Sequence, residues 1–310
     1  MNKIKKVLFM GSKQIGLRVL REIHSLSPDT LIGAITFNDT DDTRSVFNGF
    51  EDFSRTNNVD LYVANNKKHS EKIINQLKPD LCLVVGWYWL ISNVTLDVVP
   101  YGFIGVHNSL LPKLRGGSPL IWAIIAHEKT LGLSFFTFTP GMDDGPIWAQ
   151  GSITVTEEDY ISDILVKLED EAIKILQGNY LSILTGSIRP IEQNHEQATY
   201  SAARFPDHGN IDWSKPACDA YNFIRAQSHP YPGAFTYLES QVLKIWKAKP
   251  CNWTYYGTPG QVARISDEGV YVICGNNTAI IIEEVDFRGN SERANKIITS
   301  IKVRFSNSVG

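Results

Sequence analysis

Apolar residues follow two alternating rhythms along the first hundred positions. Short, mainly apolar runs at Val7–Met10, Leu31–Phe37, Leu61–Ala64, Leu81–Val85 and Gly102–Val106 punctuate this stretch, the pattern of short strands buried on both faces. Between them apolar positions recur at helical spacing: Val19, Leu20, Ile23 and Leu26, then Ile73, Ile74 and Leu77, with Ser70 as the expected helix cap. This alternation predicts an α/β domain with an open, mostly parallel twisted sheet of the Rossmann-like kind. Residues 38–58 are polar and read as irregular.

Further along, Pro119 opens an apolar helix over Leu120–Ala126, and Leu133–Thr139 is a strand rich in β-branched and aromatic residues. The apolar stripe from Asp159 to Gln177 fits one helical face, with Gly178-Asn179 as its stop signal. A polar stretch then interrupts the pattern. Beyond it come a helix over Ala217–Ala226 and short strands at Phe235–Leu238, Leu243–Lys247, Gln261–Ile265, Val270–Cys274 and Ala279–Val285, the spacing of a small β-rich barrel. The expected organisation is a catalytic domain at 1–190, a linker at 191–205 and a barrel-like domain at 206–310.

Composition narrows the class. A hydrophobic fraction of 43% over 310 residues can fill a core and excludes wholesale disorder. The net charge of −3 argues against nucleic acid as the main partner. The apolar run near the start spans four residues, too few for a signal peptide, and Leu81–Ile91 is too short for a membrane span. The expectation is a soluble cytoplasmic protein. Four cysteines at 82, 218, 251 and 274 form no Cys-x-x-Cys pair and no disulfide framework.

Three strand-end segments carry candidate chemistry. Gly11-Ser12-Lys13-Gln14-Ile15-Gly16 lacks both the dinucleotide fingerprint and the P-loop ending. The second segment is denser. His107 directly follows a strand and shares its loop with Asn108, Ser109, Lys113 and Arg115. A histidine at the carboxyl edge of such a sheet is a candidate general base. The third, Pro140 to Pro146, sets Asp143 and Asp144 between two glycines; without accompanying His ligands at metal spacing, no metal is expected there.

Taken together, His107-Asn-Ser-Leu-Leu-Pro112, Arg115-Gly116, Pro119, Gly132, and Asp143 standing 36 residues after His107 resemble the signature of folate-dependent formyltransferases. Pro230-Tyr-Pro-Gly-Ala-Phe235 and Gly257-x-Pro-Gly260 resemble the second domain of the longer members. The resemblance implies transfer of a formyl group from N10-formyltetrahydrofolate to an amine, with His107 as base, Asp143 as its partner and Asn108 nearby. It places the folate along Gly86-Trp87-Tyr88-Trp89-Leu90 and the loop containing Thr139, Gly141 and Asp143. One position departs: where the family's motif has Asn two residues before the His, this chain has Gly105. Length disfavours the short purine-pathway members. Charge and the run Gly117–Trp122 favour a nucleotide-activated amino-deoxysugar acceptor, first a dTDP-4-amino-4,6-dideoxyglucose for surface polysaccharide synthesis, with Ser12, Lys13, Ser109 and Arg115 as its contacts. Methionyl-tRNA is the alternative acceptor. A homodimer is also expected.

Overall fold

The computed structural model describes residues 3–306. The chain divides into two compact units. One comprises Met1–Pro119, Thr130–Thr154 and Val166–Ser201; the other comprises Leu120–Lys129, Val155–Leu165 and Ala202–Gly310.

The first part of the chain alternates β1 (Val7–Gly11), α1 (Lys13–Leu26), β2 (Leu31–Thr36), α2 (Phe47–Asn57), β3 (Leu61–Val63), α3 (Lys67–Leu77), β4 (Leu81–Val85), α4 (Asn93–Asp97) and β5 (Phe103–His107). There follow β6 (Arg115–Gly116), α5 (Pro119–Ile125), β7 (Thr130–Thr137), β8 (Ile147–Thr154), α6 (Ile161–Thr185) and β9 (Tyr200–Ser201). The main sheet runs β3-β2-β1-β4-β5-β7-β8. Its first five strands are parallel, and β7 and β8 are added antiparallel. Strand alternation divides its side chains between two cores. Leu8, Met10, Ile35, Cys82 and Val84 cluster with Ile73 and Ile74 of α3. On the other face Phe9 meets Phe50 of α2, with ring centroids 6.2 Å apart.

The strand order reverses between β1 and β4, which opens a crevice at their carboxyl ends, where open α/β sheets receive ligands. Those ends are tied together. Ser12 N–H donates to the Val85 carbonyl at 3.1 Å, and the Ser12 hydroxyl donates to the Gly86 carbonyl. A Cβ at Gly11 would collide with the Val85 carbonyl oxygen, so the close approach of β1 and β4 requires glycine there.

The second unit carries α7 (Ala217–Arg225), β10 (Ala234–Leu238), β11 (Gln241–Cys251), β12 (Val262–Ser266), β13 (Gly269–Ile273), β14 (Ala279–Phe287), β15 (Asn290–Arg293) and α8 (Ala294–Ile297). Its antiparallel sheet runs β10-β11-β14-β13-β12, with β15 beside β14. Single bridges Gln261↔Arg304 and Tyr237↔Ser306 bring one late segment against both edges, which closes the sheet in the barrel-like manner expected.

Four local expectations are corrected. The stretch at 38–58 contains α2, because Phe50 and Phe53 give it a buried face despite its polarity. The N-cap of α3 is Asn66, whose side chain accepts the His69 N–H, while Ser70 lies buried inside the helix. Gly178 does not stop α6; it faces open space, and Tyr180, Ile183 and Leu184 continue the buried stripe to Thr185. The expected linker at 191–205 is not free chain over its first half. Ile191 bridges Ile147, Gln193 is buried, and β9 pairs with β6. Among the described residues no helix is long and apolar enough to cross a membrane.

Candidate active site

His107 ends β5 at the carboxyl edge of the sheet and is 8% exposed. Its Nε2 lies 2.7 Å from the Leu114 carbonyl. A carbonyl can only accept, so Nε2 carries the proton and Nδ1 keeps its lone pair in the neutral ring. Nδ1 faces Asp143 Oδ2 at 3.5 Å. That spacing is longer than an N–H···O bond and suits a neutral ring; protonation of Nδ1 would supply the donor that draws the pair together.

The loop after His107 is built to present the Leu114 carbonyl. The Ser109 hydroxyl donates to the Lys113 carbonyl at 2.6 Å. The fully buried Ser134 hydroxyl donates to the Ser109 carbonyl at 2.6 Å and accepts from Leu111 N–H. Leu114 N–H donates to the Thr199 hydroxyl at 2.9 Å, and Leu114 itself takes a left-handed φ of 55°. On the opposite loop Asp143 is also left-handed, at φ 49°. Its Oδ2 accepts the Gly116 N–H at 2.7 Å. The neighbouring carboxylate, Asp144, is occupied by the Thr139 hydroxyl, so the two adjacent aspartates have different work.

The space beside Gly105, two residues before His107, is filled by an aromatic ring. A Cβ there would fall inside the ring of Phe138, which itself packs on Phe136 at 5.3 Å. An asparagine side chain has no room at this position. The side chain of Asn108, by contrast, has a buried Oδ1 with no partner.

The remaining sequence-picked residues separate into those near the sheet edge and those already engaged. In the Gly86–Leu90 strip, Trp87 and Trp89 pack against Phe37 and each other at 5.2–5.3 Å and join the hydrophobic core. Tyr88 and Leu90 are exposed. Gly141 is exposed beside Asp144. Lys13 is held by Asp39 and Asp42, the latter at 2.8 Å. The Ser109 hydroxyl is consumed within its own loop. Arg115 is 2% exposed, and its guanidinium is spent on Gln193, His195 and Tyr200. Neither Lys13 nor Arg115 is left free to meet a phosphate.

Sequence reasoning missed Phe138 and Gln193. Phe138 falls within the predicted strand at 133–139 and was legible as a core residue only. Gln193 sat in a stretch whose polarity resembles a linker. For metals, the described residues offer one grouping, His127, Cys218 and Asp219, in the second unit. It is solvent-accessible and stands at the N-terminal, positive end of α7, which opposes a cation.

Comparison with known proteins places these motifs. Residues 39–178 match the family model "Formyl transferase", and residues 205–300 match "Formyl transferase, C-terminal domain". A methionyl-tRNA formyltransferase of Caldanaerobacter subterraneus subsp. tengcongensis is 30% identical over 284 residues, covering 90% of this chain and 91% of its own. The crystal structure of WlaRD, a sugar 3N-formyl transferase, in the presence of dTDP and 5-N-formyl-THF superposes with a TM-score of 0.67 at 18% identity, over 90% of this chain and 97% of that one. HypX from Aquifex aeolicus, in complex with tetrahydrofolic acid, superposes at 0.65 and 15% identity, over 94% and 46%. The expected nucleotide-sugar acceptor is corrected by these findings. Relatives at 30–34% identity carry the name methionyl-tRNA formyltransferase, whereas the sugar enzyme resembles this chain at a level that speaks for the fold alone. The net charge misled because it is a sum over the whole surface and carries no information on where cations gather.

Proposed function

The chain belongs to the formyl transferase family, and from that premise we propose that it transfers a formyl group from N10-formyltetrahydrofolate to the amino group of methionine esterified to tRNA. The acceptor rests on one observation. A methionyl-tRNA formyltransferase matches along nine tenths of both chains at 30% identity.

The co-substrate brings an activated formyl carbon. An amine attacks it as the free base and must lose a proton as the new C–N bond forms. His107 Nδ1 is the atom assigned to take that proton, since Nε2–H is committed to Leu114. Asp143, fixed through Gly116 N–H, stabilises the imidazolium. His107 then returns the proton to the departing folate nitrogen as the old C–N bond breaks. The protons balance, and no covalent enzyme intermediate is needed.

A tetrahedral intermediate also needs a donor for its oxyanion. Asn108 is assigned to that task because it directly follows His107 at the carboxyl end of β5 and its carboxamide Nδ2 carries the N–H donors an oxyanion needs. The folate is assigned to the strip Gly86–Leu90 and the loop of Thr139, Gly141 and Asp143. With Trp87 and Trp89 half-buried against the core, the strip offers chiefly its backbone and the exposed Tyr88 and Leu90.

Incubation with N10-formyltetrahydrofolate and methionyl-tRNA should yield formyl-methionyl-tRNA, read by mass spectrometry after hydrolysis. Asn108→Ala should slow the transfer by roughly 10²–10³-fold without lowering Tm. Folate binding without any formylation of charged tRNA would overturn the proposed acceptor.

A further inference from the structure

We propose that Gln193 is a positioning residue that sets Asp143 against His107, an inference that rests on the assignment of that pair to formyl transfer. Gln193 is 5% exposed and uses its amide fully. Its Nε2 donates to the backbone carbonyls of Asp143 at 2.8 Å and Gly145 at 2.7 Å. Its Oε1 accepts from Arg115 Nε at 3.1 Å and Nη2 at 2.7 Å. One side chain therefore clamps both ends of the turn that holds Asp143 in its left-handed conformation. It ties that turn to Arg115, the residue immediately before the Gly116 N–H that fixes the Asp143 carboxylate.

Arg115 serves as the anchor. It is buried, and its other side-chain partners, His195 Nδ1 and Tyr200 Oη, are neutral acceptors. Backbone pairing of Arg115 with Thr199 and of Gly117 with Ser201 holds the Gln193-bearing segment in register. The carboxylate thus reaches His107 through two fixed points, its own Oδ2 and its own backbone carbonyl. Without the clamp the second is lost, the turn relaxes, and the carboxylate no longer sits at a set distance from the imidazole.

The test needs no acceptor. The ring signal of His107 is followed by NMR at fixed pH in ¹³C-histidine-labelled protein, with the signal assigned by its loss in His107→Gln. Gln193→Met is near-isosteric and adds no charge. It should shift the His107 ring signal, because the carboxylate facing Nδ1 is displaced. An unchanged His107 signal in folded Gln193→Met would overturn the proposal. Gln193→Glu keeps the Arg115 partner but presents oxygen to the two carbonyls. It should stay folded and lose at least about tenfold in kcat through looser geometry. Wild-type kcat in Gln193→Glu would equally overturn the proposal. If His107→Gln itself retained full formyl transfer, the fault would lie with the assignment of the pair, and the His107 ring signal in Gln193→Met would still report whether Gln193 positions Asp143.

Discussion

Among single residues, the site is defined by which atoms are already hydrogen-bonded. Nε2 of His107 is fixed by Leu114 and leaves Nδ1 facing Asp143. Gly105 shows the same logic by exclusion, since the Phe138 ring fills the volume an asparagine would need. Gly105→Asn should therefore destabilise the fold by about 1–3 kcal/mol through overpacking. Adding Phe138→Ala should recover part of that loss in a urea melt, and an additive double variant would show that the ring is not the obstacle. The strand before His107 marked it as a candidate base, and the family resemblance, with Asp143 standing 36 residues on, made the pair legible in the chain. Phe138 and Gln193 were not, because one looks like an ordinary core aromatic and the other lies in a polar run. Their meaning comes from contacts across 33 and 50 residues of chain, which no local pattern encodes.

At the level of elements, strands and strongly apolar helices followed the hydrophobic rhythm, and weakly patterned pieces did not. α2 escaped because two phenylalanines suffice to seat an otherwise polar helix. α6 outran its glycine because packing beyond Gly178 outweighs the cost of about 1 kcal/mol for a helical glycine. The loop between β2 and α2 is secured by charge. Arg44, and then Lys13 at the start of α1, hold the Asp42 carboxyl well below the usual carboxylate range. A carboxyl depressed by folding adds stability above its unfolded value, near 3.9, and that stability is lost as pH falls toward the folded value. Asp42→Asn should consequently lower Tm at pH 7, with a deficit that shrinks below about pH 4. A deficit constant across that range would mean the ion pairs add nothing.

For the molecule as a whole, the two-part architecture was readable from the change of rhythm, while the boundary was not. Residues 191–201 belong with the α/β unit, through β9 and Gln193. Net charge was the least informative quantity. A chain at −3 can still hold tRNA if its cations are grouped, and such binding should weaken steeply with salt, the logarithm of affinity falling linearly with that of salt concentration. A salt-independent affinity for methionyl-tRNA would speak against phosphate contacts. The most direct test of the central claim compares wild type with His107→Ala at saturating N10-formyltetrahydrofolate and methionyl-tRNA, following formyl-methionyl-tRNA by mass spectrometry. The wild type should turn over, and the variant should lose at least about 10²-fold in kcat at unchanged Tm. Equal turnover by both proteins, or none by the wild type, would contradict it.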